Sequence, residues 1–190
     1  MDWVFLYGPK KRVFVVDFRD LIARAKELYQ EGLRLFDRGD YYDVAEKGWC
    51  TVELLRKAVL VAVGVPYEKA SNIEFGLPMF TRILKILGRK DLLDSYYKFS
   101  SCLHIYGFYE MVSSPEEIER SLSELEVWIN DIEVVAERLS KTRLEGAVEL
   151  MEKCLKLKRK ILQTNVEYYK TLRELANMIQ QIISTKHKVG

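Results

Sequence analysis

Apolar residues recur every three or four positions along most of the chain, which is the spacing of an α-helix with one buried face. The sequence contains only four prolines and ten glycines, so long uninterrupted helices are expected. The pattern predicts an all-α protein. The apolar stripes predict a core that includes Trp49, Val52, Leu55, Leu93 and Trp128.

Several residues of the sequence have the chemistry of helix N-caps, which accept hydrogen bonds from free backbone N–H groups. Asp17, Asp40 and Asp91 each precede a helical pattern and have a second aspartate three residues later. The segment that begins at Ser114 combines a serine cap, a proline at the first helical position and a glutamate at the third. Together with glycine stops, these signals predict helices at 17–38, 40–63, 78–87, 91–111 and 115–139.

The predicted links between these helices are short, which makes successive helices antiparallel neighbours. Residues 17–140 are therefore expected to form an up-and-down helical bundle. A tetratricopeptide hairpin over residues 25–62 is an alternative, because a turn at Gly39 joins two helical patterns there. A solenoid needs that unit repeated at about 34 residues. The sequence holds no second copy, so the bundle is favoured.

Residues 1–16 precede the first predicted helix and have a different pattern. Two runs of apolar, β-branched and aromatic residues, 3–7 and 12–16, flank a four-residue loop that contains Gly8 and Pro9. This arrangement predicts a short N-terminal β-hairpin. An extended arm lying on the helices is the alternative interpretation.

Residues 141–190 follow a heptad pattern. With Leu144 at position d, ten of the twelve a and d positions up to Ile183 are apolar, and position g is apolar throughout. An apolar face three positions wide in every seven predicts one long amphipathic C-terminal helix, with a wider face than the seam of a simple dimeric coiled coil. A break near Asn165, which would fold this segment into a hairpin within one chain, is the alternative.

The predicted C-terminal helix is too long for one bundle to cover. Forty residues at about 1.5 Å each span about 60 Å, whereas a twenty-residue bundle helix spans about 30 Å. Each large apolar side chain left in water forfeits about 1.5–3 kcal/mol, so we expect a second copy to bury them, most simply in a two-fold homodimer. The residues expected to carry this oligomerisation are Leu155, Leu162, Tyr169, Leu172, Ile179 and Ile183.

Charge also separates the two parts of the chain. Residues 1–140 hold 19 basic and 23 acidic side chains, whereas residues 141–190 hold 11 basic and 5 acidic ones. This difference supports a domain boundary near Ser140. A dense basic run in the second part is a candidate surface for nucleic-acid phosphates, and a solvated helix face is the alternative. The candidate residues are Lys153, Lys156, Arg159 and Lys160.

The cysteines and the apolar runs bear on the cellular location. Cys50, Cys102 and Cys154 are widely spaced, as in reduced cytosolic proteins, and lack the close pairing of zinc ligands. No apolar run reaches the roughly 18 residues of a membrane helix. The apolar start is followed by basic residues, which is the reverse of a signal peptide. We therefore expect a cytoplasmic protein without a membrane, metal or cofactor partner.

Two segments are similar to the archaeal PaREP family. Residues 39–49 read GDYYDVAEKGW, and residues 103–110 read LHIYGFYE shortly before a helix that starts with a proline. The resemblance covers residues 18–135. The PaREP family in turn resembles the HEPN superfamily of helical proteins. This implies a bundle of four or five helices that is often dimeric, in a group that includes ribonucleases and partners of small nucleotidyltransferases.

The sequence lacks the ribonuclease motif of HEPN proteins, an arginine four to six residues before a histidine. The two histidines are His104 and His187, and neither has an arginine in that window. Glycine-rich phosphate loops are absent as well. The sequence therefore predicts no catalytic residues.

His104 is the candidate ligand-binding residue. Glu46 is expected to face it from the second helix, and a carboxylate there could orient one ring nitrogen and leave the other for a ligand. Trp49 and Tyr109 complete the predicted site as aromatic walls. The alternatives are a buried histidine whose polar atoms are satisfied inside the bundle and aromatic residues that simply pack.

Two classes of function follow. The first is a non-enzymatic assembly or adaptor protein that self-associates, favoured by the long apolar stripe without a catalytic constellation. The second is a nucleotide- or RNA-binding module of the HEPN type, in which the chain would partner a nucleotidyltransferase. The basic tail and the family resemblance favour the second class.

Overall fold

The computed structural model describes residues 16–141 and, beyond them, Arg173, Glu174 and Asn177. Every secondary-structure element in this part of the chain is helical, so the all-α prediction is confirmed there. The predicted hairpin and most of the predicted C-terminal helix lie outside the described residues. The elements are α1 Phe18–Phe36, α2 Tyr41–Ala62, α3 Tyr67–Ser71, α4 Ile73–Ile86, α5 Lys90–Phe99, a π-helix Ser100–Tyr109 and α6 Pro115–Ser140.

Three of the predicted helix starts are confirmed by their hydrogen bonds. The Asp17 carboxylate accepts from the backbone N–H two residues later at 2.8 Å, and Asp40 accepts from the N–H three residues later at 3.3 Å. Ser114 and Glu117 form a reciprocal capping box at the start of α6. These caps satisfy N–H groups that have no partner within the first helical turn.

Two other predicted starts are wrong. The fourth helix begins at Ile73, not at residue 78, because the Asn72 side chain accepts from the Phe75 N–H at 3.1 Å. Pro78 consequently lies inside this helix. Asp91 does not cap α5, whose N-cap is Arg89.

Helix α2 lies at the centre of the described structure and contacts every other helix. The predicted core residues Val52, Leu55, Leu93 and Trp128 are at most 4% exposed. Trp49 is only half-buried and packs on the edge of the core. The stripes therefore identified the core correctly except at this tryptophan.

Ion pairs tie α6 to its neighbours at both ends. Each joins a basic residue of α1 or of the α5 region to an acidic residue of α6. The pairs are Arg19–Glu137, Lys26–Glu133, Arg89–Asp131 and Lys98–Glu124.

Candidate functional site

The segment after α5 is a π-helix, in which each N–H bonds to the carbonyl five residues earlier. The Glu110 N–H bonds to the Ile105 carbonyl at 2.9 Å and ends it. The prediction of one regular α-helix over 91–111 is therefore wrong from Ser100 onward. The wider turn brings residues five apart together, and the rings of His104 and Tyr109 pack edge to face with centroids 4.9 Å apart.

Small residues let the π-helix approach α2 closely. A Cβ on Gly107 would lie 2.7 Å from the Cβ of Ala45 and 2.9 Å from the carbonyl oxygen of Cys102. A Cβ on Gly48 would lie 3.0 Å from a methyl carbon of Leu103. Any larger side chain at Gly107 would push the two helices apart, so glycine is required there for contact.

The structure brings three of the four predicted ligand-binding residues together. The His104 ring stacks on Trp49 with centroids 4.6 Å apart and an angle of 18° between the planes. Tyr109 closes the other side and is 66% exposed. The Nδ1 atom of His104 is buried and forms no hydrogen bond with any residue that the structure describes. The cluster is thus held by ring contacts.

Glu46, the fourth predicted residue, is half-buried on α2. The structure describes no hydrogen bond or ion pair between Glu46 and His104, so the expected orienting contact is not formed. Burial, and next the charge of Glu46, raise the pKa of the Cys50 thiol. The ligand-binding role of the four residues stays a prediction.

A buried charged network lies along the same face of α2 and was not predicted. The Arg56 side chain is fully buried, and its guanidinium donates two hydrogen bonds to Glu53, at 2.9 and 2.8 Å, and one to the Ala70 carbonyl, at 3.0 Å. The Tyr96 hydroxyl donates to Glu53 at 2.9 Å. Each charged group of the network is therefore partnered, as buried charges require.

The pKa values within this network move in opposite directions. Burial acts to raise the pKa of Glu53, but its hydrogen bond and charge contact with Arg56 outweigh burial, so the pKa is lowered. Burial, followed by the Glu53 charge, raises the pKa of Tyr96. Gly76 makes room for the network, since a Cβ there would lie 2.5 Å from Arg56 Nη1.

A cleft of about 330 Å³ lies between the π-helix, the following loop and the start of α6. One wall carries Tyr106, and the loop contributes Val112, which is 66% exposed. The chain leaves the π-helix through Met111, whose φ of 52° lies in the left-handed region. The lining residues are Lys98, Cys102, Tyr106, Val112, Ser113, Glu117, Arg120 and Ser121.

The outer face of α6 carries two exposed valines. Val127 and Val134 are 63% and 66% exposed and lie seven residues apart. The opposite face of α6 packs on the core, with Leu125, Trp128 and Ile132 at most 2% exposed. One helix thus has a buried apolar face and an outer stripe in which the two valines are separated by the polar residues Asn130 and Asp131.

The described ranges contain neither a metal-binding group nor a membrane-spanning helix. Among residues 16–141 and the three described tail residues, no group of three histidine, cysteine or acidic side chains could hold a metal ion. No described helix is both long and apolar enough to cross a membrane.

The predicted oligomerisation and nucleic-acid residues lie outside the described part of the chain. Arg173, Glu174 and Asn177 are helical and exposed. In the predicted heptad frame they occupy positions e, f and b, which belong to the polar face. The predicted oligomerisation residues are Leu155, Leu162, Tyr169, Leu172, Ile179 and Ile183, and the predicted phosphate-binding residues are Lys153, Lys156, Arg159 and Lys160.

The fold and the site define an all-helical protein in which a π-helix presents an aromatic cluster beside a small cleft. The chain belongs to the archaeal PaREP1/PaREP8 family, whose model matches residues 20–129. The resemblance based on the GDY turn and the histidine-containing segment is therefore confirmed. No curated protein and no solved structure matches the chain.

Proposed function

We propose that this protein is a non-enzymatic helical assembly protein that self-associates, with a second copy covering the outer face of α6 and the predicted tail helix. The observation that carries this proposal is the exposure of Val127 and Val134 on one outer stripe. Two exposed valines mark an interaction surface only where further apolar residues extend them into a patch of a few hundred Å², and the predicted apolar face of the tail would supply that extension.

The two valines are in phase with the tail heptads. Residues seven apart share a heptad position. Val148 occupies position a, so Lys141, Val134 and Val127 occupy position a as well. The outer stripe of α6 therefore has the register of the apolar tail positions. A single association surface could begin on α6 and continue along the tail.

The two apolar faces point in different directions. In the same heptad frame, the buried residues Leu125, Trp128 and Ile129 occupy positions f, b and c, whereas the tail is apolar at a, d and g. In a helix that keeps this heptad frame, at the 3.5 residues per turn of a coiled coil, the centres of these faces are roughly 150° apart. A straight helix would lose about 20° of this separation with each heptad. If the helix continues past Ser140 in the coiled-coil frame, its apolar tail face turns away from its own bundle, which favours a second copy as the partner.

The HEPN-like antiparallel bundle is part of the same proposal. The pairs Arg19–Glu137 and Lys26–Glu133 support it. The later residue of α1 pairs with the earlier residue of α6, as in antiparallel helices. A bundle of this kind presents α6 at its surface, where a second copy can reach it.

Light scattering on full-length variants tests the proposal. The double substitution Val127→Glu and Val134→Glu puts two charges on the outer stripe and should shift a dimer toward the monomer. The matched control is Ile73→Glu, because Ile73 is 53% exposed at the start of α4. A wild-type monomer at micromolar concentration would contradict self-association, and a dimer unchanged by the double substitution would exclude this face of α6.

A further inference from the structure

We infer that the cleft between the π-helix and the start of α6 binds a small monoanion with a flat aromatic body, such as an aromatic carboxylate or sulfonate. This ligand site is separate from the self-association proposed above. The inference rests on the size of the cleft, its unpartnered arginine and its apolar wall.

The size of the cleft limits the ligand. Its volume of about 330 Å³ is at the lower end of the roughly 300–1,000 Å³ found for small-molecule sites. Such a volume suits a ligand of one or two rings rather than a polymer or a peptide.

One cation of the cleft, Arg120, has no partner among the described residues, and its guanidinium can take a single negative group. The Lys98 ammonium is neutralised by Glu124 at 2.6 Å. The Glu117 carboxylate accepts from the Ser114 N–H at 2.8 Å as part of the cap of α6 and keeps its negative charge. Arg120 is exposed, and the structure describes no hydrogen bond or ion pair for its side chain. Its guanidinium is therefore available to bind one carboxylate or sulfonate.

The serine hydroxyls of the cleft already have partners. Ser113 donates to the Cys102 carbonyl at 3.2 Å, and Ser121 donates to the Glu117 carbonyl at 2.8 Å. These hydroxyls add little to ligand binding, which leaves Arg120 as the main polar anchor.

The apolar wall of the cleft favours a flat ligand. Tyr106 and Val112 line it and are 47% and 66% exposed. A ring that covers them removes apolar surface from water and can stack on the tyrosine. The ligand class is therefore an aromatic ring with one anionic substituent.

Titration calorimetry with naphthalene-2-sulfonate tests the inference on the full-length protein. Binding is expected for this probe, with much weaker binding of 2-naphthol, which lacks the charge, and of sulfate, which lacks the ring. The Arg120→Gln variant should bind about tenfold more weakly or worse, because a hydrogen bond between charged groups is lost. The control Arg24→Gln changes an exposed arginine on α1 and should bind as the wild type does.

Alkylation of the cysteines locates the bound probe. Cys102 lines the cleft, whereas Cys50 is a half-buried thiol outside it. Bound probe should slow iodoacetamide labelling of Cys102 several-fold, with Cys50 unchanged, as measured by peptide mass spectrometry. No binding at millimolar probe, equal binding by Arg120→Gln, or binding without protection of Cys102 would each overturn the inference.

The ligand site and the association surface can be tested separately. Arg120 lies seven residues before Val127, so the cleft borders the outer stripe of α6. Binding of naphthalene-2-sulfonate should persist in the Val127→Glu and Val134→Glu double variant. Loss of binding in that variant would contradict a site built from one chain.

Discussion

Helices α2 and α6 are both long, yet their surroundings differ. Helix α2 contacts every other described helix and buries even the charged side chain of Arg56. Helix α6 buries one face and leaves Val127 and Val134 exposed on the other. A helix surrounded by its own chain has little surface left for a partner. The comparison therefore gives α2 a structural role and makes α6 the helix on which the proposed association surface would lie.

The largest effect is expected at the buried ion pair of α2. Glu53→Ala leaves the Arg56 charge buried with one remaining described partner, the Ala70 carbonyl. Removing one member of a buried pair costs about 3–5 kcal/mol, which urea unfolding can measure. A loss below about 1 kcal/mol would show that the interior around α2 accommodates an unpaired charge. It would weaken the contrast between the buried helix α2 and the partly exposed helix α6.

The double variant Glu53→Leu with Arg56→Met is the control for this experiment. Apolar residues of similar volume replace both charges, and such exchanges are often neutral or stabilising. Recovery of most of the lost stability would attribute the effect to the unpaired arginine. A double variant as unstable as Glu53→Ala would indicate a packing defect instead.

A smaller loss is expected at the contact between the π-helix and α2. Gly107→Ala places a methyl group 2.7 Å from the Ala45 Cβ, and overpacking of this kind costs about 1–3 kcal/mol. Adding Ala45→Gly should restore part of the stability, since the Cys102 carbonyl still crowds the new methyl group. An unchanged melting temperature in Gly107→Ala would contradict the close approach of the two helices.

The aromatic cluster at the surface should contribute less than the interior. His104→Ala removes the stack on Trp49 and the edge contact with Tyr109, for which we expect a loss of about 0.5–1.5 kcal/mol. Chemical denaturation of the wild type and the variant measures the difference. A loss as large as that of Glu53→Ala would place His104 in the structural core.

The pH dependence of the unfolding free energy should reveal the contribution of the ionised Glu53 side chain. Its pKa is lowered in the folded protein, so its contribution is present above the ordinary glutamate pKa of about 4.3. That contribution is lost as the pH falls through the lowered folded-state value. Denaturation curves between pH 6 and pH 3 should therefore show a steeper loss for the wild type than for the Glu53→Leu and Arg56→Met double variant. Parallel curves would contradict the assigned pKa direction.

The smallest expected effect belongs to the outer face of α6. The melting temperature of an associating protein rises with its concentration. For chains of this size we expect an increase on the order of 2 °C for each tenfold rise in concentration. The Val127→Glu and Val134→Glu double variant should show a weaker dependence, measured by calorimetry at two concentrations. Equal slopes for the two proteins would remove α6 from the association surface.

Sequence patterns predicted the helices whose ends depend on local chemistry. The caps at Asp17, Asp40 and Ser114 act within three residues, so their side chains identify the helix starts. The start of α4 was predicted at Pro78, five residues after its actual start at Ile73. The proline lies inside the helix, and Asn72 provides the cap.

The parts of the site that sequence did not predict depend on contacts between helices. The π-helix is accompanied by the close approach of Gly107 to Ala45, and no local signal specifies a bond to the fifth residue rather than the fourth. Glu53 and Arg56 were not singled out from the sequence, since charged residues usually lie in solvent. A glutamate and an arginine three residues apart within an apolar stripe were the available signal for the buried pair.

Sedimentation equilibrium of the full-length protein at micromolar concentration tests the central claim most directly. The chain has a mass of 22.3 kDa, and a self-associating assembly protein should sediment at twice that mass or more. The mass should fall toward that of one chain on dilution, or after the two charges are introduced on the outer face of α6. A single species at 22.3 kDa across the concentration range would contradict the proposed function.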